Sequence, residues 1–548
     1  MAASEADYII VGGGLTGCAI AASLHHGDPS LQVLVLEAGT DATDNPQTRD
    51  LAGAFALAGS DLDYNYKSTP QTNTDDRAHT ITAGKVLGGG SILNYGAWAR
   101  GDASDYDQWA RTVGGESERW SYKEFLPYLK NAERHRNAKQ NPEHRGSNGP
   151  IRVISVAESD PKRRYGLRQP IKAAWEELGL KQNPDGDCGS LAGICELLEN
   201  WNNGQRQPSY VAYNLKSPII TSAVVHKVVF AQDKDGNNTA SSVILTDGRQ
   251  YRARREIILC AGAIKTPQIL MLSGVGPADL LSKYNIPILL DNPEVGRNYF
   301  DHFALFQVWK LRNPEEGLSM GTPKWEDQAF YKGLPCDWAV NEGTPANLLK
   351  PALEADAKSG KVTDQSLLDR CLVETMVIYS PVGAPVPTDG SFVSTSVMLL
   401  LPTSRGSVYI NSDSPVDAPA IDTNFYDTET DRTALIHGVR RVIKALLGTS
   451  AGKSYIESEG APTGMPALTE ESSDADIDTR IRMTGLSHAH SAGTAAMGKV
   501  VDAELRVKGV KGLRVADASI FPVAVGGHPQ ATLYGVAEQA ADLLLQGR

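Results

Sequence analysis

Histidine has an ordinary pKa near 6.5, which leaves it neutral yet basic around pH 7 and suits it to taking a proton from a hydroxyl group. The chain has 11 histidines, and three stand where such chemistry is readable. His488 and His490 are two positions apart in HAHSAGT, and His528 stands with Pro529 just before an apolar segment, Thr532 to Leu545, that reads as a helix. In an extended segment residues i and i+2 share a side, so His488 and His490 are expected to line one pocket. The same pair hints at a metal, but no third ligand follows at a suitable spacing, so no metal is expected.

The elements that must position such a pocket begin at the N-terminus. Asp7 to Val11 reads DYIIV, Gly12 to Gly17 reads GGGLTG, and Gln32 to Gly39 reads QVLVLEAG. Gly12, Gly14 and Gly17 occupy the glycine places of a dinucleotide fingerprint, which allow a tight turn, close approach of a pyrophosphate and packing of helix on strand. Cys18 to Leu24, mostly small or apolar, can form a helix whose positive N-terminal end faces that pyrophosphate, and Leu15 and Thr16 of the turn before it are counted among the cofactor-binding residues. Glu37, twenty residues after Gly17 and followed by Ala38, ends an apolar second strand where a carboxylate can accept hydrogen bonds from a ribose. NAD and FAD share this fingerprint. A second glycine cluster, GKVLGGGSILNYGAWARG from Gly84 to Gly101, includes Ser91 and Asn94 and suits a segment lying close against a planar ligand.

The 548 residues exceed one ordinary core and predict two large domains or more. Hydrophobic residues at 41% and charged residues at 22% give a soluble balance, and a net charge of −12 argues against nucleic acid or anionic membrane as partner. Met1 to Ala6 lacks the features of a signal peptide and no run approaches a membrane span, so the expected location is cytoplasmic, with a secreted mature form as the alternative. The six cysteines form no CxxC pair; Cys188 and Cys195 are the closest two and are expected to be free thiols.

Along the chain, Asp102 to Glu133 and Asp160 to Leu180 read as helical and Lys181 to Gly204 as a loop. Ile219 to Phe230 and Glu256 to Gly262 read as strands, and an apolar helix follows in AGAIKTPQILMLSGVGP. Segments such as Ser391 to Leu401 and Ser407 to Asn411 predict an antiparallel sheet in a second domain.

These blocks together resemble the glucose-methanol-choline (GMC) oxidoreductases, a flavoenzyme family, over nearly the whole chain. GKVLGGGSILNYGAWARGDASDYDQWA is similar to the family's first signature and GAIKTPQILMLSGVGP to its second; VGRNYFDH, LPTSRGSVYINS, HSAGTAAMG, GLRVADASIFP and HPQATLYGVAEQAAD follow in order. The resemblance implies an α/β fold, with a Rossmann-type FAD-binding domain (1–155, 205–300, 482–548) and an α+β substrate domain on an antiparallel sheet (156–204, 301–481). It implies FAD, with Asn94, Tyr95, Gly96, Ala97 and Trp98 beside the flavin, Val225 near the adenine and Asp517 near the ribityl and pyrophosphate. Val86, Ser91, Ala261 and Ala518 belong to the same cofactor-binding blocks. Gln530, Ala531 and Thr532 would present helix N-terminal N–H groups to the flavin's pyrimidine oxygens. Leu93 stands where some members carry a histidine that bonds the flavin, so the FAD is expected to be non-covalent. Tyr95 intrudes where many members have glycine directly after the asparagine.

The resemblance further implies oxidation of an alcohol by hydride transfer to the flavin, with His490 as general base and His528 as its partner. The substrate would be a small molecule, and Trp325, Tyr331, Trp338 and Phe392 suggest an aromatic or apolar pocket. Oxygen or another acceptor would take the electrons. The same fold also hosts lyases and decarboxylases, and a flavin-binding protein without turnover is a third reading.

Overall fold

The structure is a computed structural model and describes residues 4–115, 117–361, 363–383 and 385–547. The reading of the first three residues as part of a chain start without a leader lies outside the described residues.

Strand β1 (Glu5–Val11) leads through the glycine turn into helix α1 (Leu15–Gly27) and strand β2 (Val33–Leu36). β1 pairs in parallel with β2, Tyr8 opposite Val33, and on its other side with strand β3 (Gln250–Leu259), Tyr8 opposite Glu256. Ile9, Ile10, Ile257 and Ile258 are fully buried, as continuous apolar strands are when a parallel sheet is covered on both faces. The sheet has seven strands: Ile219–Ile220 lies outside β2, Asn238–Leu245 and Val225–Gln232 continue antiparallel beyond β3, and Leu513–Val515 pairs in parallel with β3. The turn after β1 requires glycine at Gly12, where φ is +106° and a Cβ would lie 2.3 Å from the Cys260 carbonyl oxygen. At Gly17 a Cβ would lie 2.0 Å from the Gly12 carbonyl oxygen, so glycine lets α1 sit against β1.

Helix α2 (Gly262–Leu272) follows β3, and helix α3 (Gln530–Leu545) lies beside α1. The Tyr8 hydroxyl donates to the Leu544 carbonyl at 3.2 Å and the Ser23 hydroxyl to Glu538 at 3.3 Å, which pins the C-terminal helix to the N-terminal unit.

A second, eight-stranded sheet is built around β4 (Phe303–Leu311), β5 (Val373–Ile378) and β6 (Phe392–Leu399), with β6 antiparallel between the other two. Trp338–Glu342, Gly193–Glu196 and Gln182–Asn183 extend it past β5, and Ile456–Gly460 and Leu486–Ser487 both pair with β4.

Local pattern misleads in several places. Lys181 to Gly204, expected to be a loop, contains Gln182–Asn183 and Gly193–Glu196 of this sheet, because pairing with the distant strand Trp338–Glu342 supplies what the short segment lacks. The expected helix over Asp160 to Leu180 is helical only at Arg168–Glu177; the preceding stretch is held by buried Arg163, which pairs with Glu199. Gly406–Tyr409 joins Arg297–Tyr299 and Ala420–Asp422 in a separate three-stranded sheet. Leu486–Ser487 belongs to the second sheet although it lies past the expected boundary at 481.

All six cysteines are unbonded; the Cys188 sulfur accepts from Asn141 Nδ2 at 2.7 Å and the Cys195 thiol faces the Leu191 carbonyl at 3.3 Å. Among the described residues no helix is long and apolar enough to cross a membrane.

Candidate active site

A cavity of about 530 Å³ runs from the turn after β1 to the histidines. Gly12, Gly14, Leu15, Thr16, Glu37, Ala38, Val225, Ala261, Asp517 and Ala518 line its nucleotide end. The first turn of α1 opens here, and no side chain caps it, so its N–H groups face the cavity as a ready anion site.

Glu37 is 6% exposed, its Oε2 accepts from the Gly13 N–H at 2.8 Å and its Oε1 from the Gly39 N–H at 2.7 Å. Burial pushes its pKa up to about 7 against the pull of those two donors. Each carboxylate oxygen keeps a second lone pair for a sugar hydroxyl. Asp517 also lines the cavity, but its carboxylate already accepts from the Gly262 and Ser519 N–H groups at 2.8 and 2.9 Å and from the Thr266 hydroxyl at 2.6 Å. Its work is to join the start of α2 to the turn after Leu513–Val515. An uncapped helix start, a buried ribose acceptor and a long apolar-walled cavity together fit FAD.

Farther in, Leu93, Asn94, Tyr95, Gly96, Ala97 and Gln530 form the wall. Asn94 Oδ1 accepts from the Gly96 N–H at 3.0 Å, and Gln530 Oε1 accepts from Asn94 Nδ2 at 3.3 Å and Asn200 Nδ2 at 3.1 Å. Gly96 has φ +82° and a Cβ there would lie 2.4 Å from Trp201 Nε1, which itself donates to the Tyr95 carbonyl at 2.9 Å. Tyr95 is 38% exposed, with its ring 5.3 Å from that of Phe55, which also lines the cavity.

Six expected cofactor residues do not line the cavity. Gly17 packs α1 on β1, and Val86 is buried with Leu57, Ile92 and Leu93. Ser91 donates to the Gly88 carbonyl at 2.6 Å and accepts from the Ser209 N–H at 3.0 Å. Trp98 points into the core, where its Nε1 donates to Glu133 at 3.2 Å. Because α3 begins at Gln530 rather than Thr532, Gln530 and Leu533 face the cavity while Ala531 and Thr532 turn inward, the Thr532 hydroxyl meeting Tyr106 at 2.8 Å.

The far end holds His488, His490 and His528. The rings of His490 and His528 are 5.1 Å apart at 83°, and those of His488 and His490 are 4.9 Å apart. The shared side does not come from an extended strand: Ala489 between the two histidines is left-handed, with φ +60°. The third histidine absent from the local spacing arrives from the C-terminal block, and ligand nitrogens of all three lie within 4.8 Å of one another. Zinc bound at about 2.0–2.1 Å would draw tetrahedral ligands to roughly 3.4 Å apart, so spacing alone was no ground for dismissing a metal here.

Each catalytic candidate has a partner that sequence reasoning missed. The His490 N–H donates to Asp301 Oδ1 at 2.8 Å, and His490 Nδ1 lies 2.9 Å from His302 Nδ1. His528 Nε2 donates to Glu374 Oε1 at 2.9 Å, both side chains being less than a tenth exposed. Burial, and then the neighbouring His488, His302 and His528 rings, hold His490 well below the ordinary histidine range. Asp301 and His302 were visible as the DH that ends VGRNYFDH, and Glu374 as the lone charge in the apolar strand VETMVI.

The substrate wall is not the expected aromatic set. Trp325 packs against Phe330 with centroids 5.0 Å apart, Trp338 lies under the Arg168 guanidinium at 4.3 Å, and Tyr331 and Phe392 also stay off the cavity. Phe306, Leu334, Met376, Ile378, Val382 and Leu486 provide the apolar surface instead.

A cavity that joins a dinucleotide-type end to clustered histidines fits an oxidoreductase with a dinucleotide cofactor. Residues 6–304 and 402–537 match the N- and C-terminal parts of the GMC oxidoreductase family, and the chain belongs to that family. It is similar to the GMC-type oxidoreductase acuG of Aspergillus aculeatus, 40% identical over 98% of this chain and 99% of that one. Among solved structures, formate oxidase superposes with a TM-score of 0.88 at 27% identity, covering 99% of this chain and 98% of the other. Pyridoxine 4-oxidase from Mesorbium loti does so with a TM-score of 0.81 at 27% identity and 98% coverage of both.

Proposed function

We propose that the enzyme oxidises an apolar or aromatic alcohol, with His490 accepting the hydroxyl proton and His528 donating to the same oxygen. The observation that carries this reading is the meeting of the two rings, 5.1 Å apart, at the end of a cavity whose other end is built for a dinucleotide. FAD, when bound there, supplies the hydride acceptor.

Each residue's part follows from its neighbours. His490 is kept neutral by its surroundings, so it holds a lone pair for the hydroxyl proton. With Nε2 donating to the buried Glu374 carboxylate, His528 is left to meet the substrate oxygen through Nδ1, where a proton would face negative charge as it builds. Phe306, Leu334, Met376 and Ile378 exclude water and hold an apolar or aromatic group beside the reacting carbon.

Among the described residues lining the cavity there is no arginine, and the one lysine, Lys265, is held by Gln268 Oε1 at 2.8 Å and the Pro415 carbonyl at 2.9 Å. An anionic substrate such as formate would find no fixed counter-charge, which favours a neutral alcohol over the substrate named for the formate oxidase. Leu93 offers no side chain able to bond a flavin, which supports non-covalent FAD.

The test is anaerobic mixing of the FAD-loaded enzyme with aromatic, aliphatic and sugar alcohols and with formate. Aromatic or apolar alcohols should bleach the flavin spectrum, and admission of air then shows whether oxygen restores it. Bleaching by formate alone would refute the reading.

A further inference from the structure

We propose that His302 is a positioning residue that holds His490 in the tautomer able to accept a proton. The proposal rests on the reading of His490 as base given above.

His302 is 3% exposed and stands immediately before β4. Its Nδ1 is turned to His490 Nδ1 at 2.9 Å, and the backbone carbonyls of Leu400 and Val525 lie against its ring as acceptors. Carbonyls only accept, so the one proton of the ring is assigned to Nε2, the nitrogen not turned to His490. Burial, followed by the neighbouring His528, holds the His302 pKa down at about 3, so the ring is neutral and has that one proton only. Its Nδ1 is therefore a lone pair.

Two lone pairs cannot face each other across 2.9 Å, so His490 must carry its proton on Nδ1 and donate it to His302. The ring planes cross at 89°, which a single N–H to lone-pair bond allows and ring stacking does not. His490 Nε2 is then left unprotonated. The other titratable groups at this end hold different atoms: Asp301 takes the His490 backbone N–H at 2.8 Å, Glu374 takes His528 Nε2 at 2.9 Å, and His488 Nε2 faces the Ser396 hydroxyl at 3.5 Å. The orientation of the proton on His490 thus passes from backbone to His302 to His490. When His490 Nε2 gains the hydroxyl proton, its Nδ1–H bond to His302 becomes charge-assisted and strengthens, roughly twofold by the general scale.

The test compares His302→Phe, which fills the space without an acceptor, with His302→Asn, whose Oδ1 can stand where Nδ1 stood. Flavin reduction should slow roughly 10- to 100-fold in the Phe variant, the scale known for a metal-bound histidine that loses the group orienting it, with KM little changed. The Asn variant should recover to within a few fold of wild type. Long-range 1H–15N spectra of FAD-loaded, 15N-histidine-labelled protein, with His490 assigned by comparison with His490→Ala, should show its proton on Nδ1 in the wild type and a shift toward Nε2 in His302→Phe. That measurement needs no substrate, so it decides the tautomer even if no alcohol reduces the flavin. A wild-type proton on Nε2, or equal rates in the Phe and Asn variants, would overturn the proposal.

Discussion

Replacing Glu374 with glutamine keeps the side chain's length and its acceptor oxygen but removes the charge that faces His528 at 2.9 Å. A buried bond to a charged group contributes about 1.5–3 kcal/mol and a neutral one about 0.5–1.5, so the exchange forfeits about 1–1.5 kcal/mol. If His528 uses its charged form to meet the substrate oxygen, that loss appears in the barrier, where about 1.4 kcal/mol is tenfold in rate. Glu374→Gln should therefore reduce flavin about tenfold more slowly at saturating alcohol. His528→Asn, which keeps a donor but cannot carry charge, sets the reference. In that background Glu374→Gln should have little further effect, because no cation remains to pair. Stopped-flow reduction of the four proteins measures the coupling directly, with FAD content and thermal midpoint confirming that each is folded. Additive effects in the double variant, or an unchanged rate in Glu374→Gln, would refute the idea that the carboxylate acts through His528.

His490→Ala should keep the flavin spectrum but slow reduction by about a hundredfold or more, the scale of a lost general base; wild-type rates in single-turnover bleaching would remove His490 from the mechanism. Since burial and the adjacent rings lower the His490 pKa, its neutral form persists as pH falls, and the acid limb of kcat/KM should lie below the ordinary histidine range near 6.5. An acid limb at or above that range, read from a pH profile, would contradict this. Glu37→Ala removes a buried ribose acceptor that also ties down the Gly13 and Gly39 N–H groups, so FAD affinity measured by fluorescence titration should weaken by about 1.5–3 kcal/mol or more. With leucine at position 93, acid or heat should release all the FAD into the supernatant; yellow denatured protein would show a covalent link.

The sequence determined by itself whatever depends on short-range sterics and periodicity. The glycine turn between β1 and α1, the glutamate at the end of β2 and, but for its first two residues, the apolar C-terminal helix were legible because tight turns, close backbone approach and apolar periodicity each demand particular residue types over a few positions. His488, His490 and His528 could be singled out for the same reason.

Long-range packing decided what stands beside them. Glu374 lies 154 positions from His528 and His302 lies 188 from His490, and only the pairing of β4, β5 and β6 and the docking of the two sheets bring them to 2.9 Å. Their consequences for charge and tautomer arise from distances in a buried space, which no local pattern encodes. Packing also moved the substrate wall from the conspicuous tryptophans, absorbed into the core or under Arg168, to Phe306, Leu334 and Met376. A large aromatic side chain gains most from full burial, so its presence in a sequence marks core at least as often as pocket, and the direction in which it points is set by the fold around it.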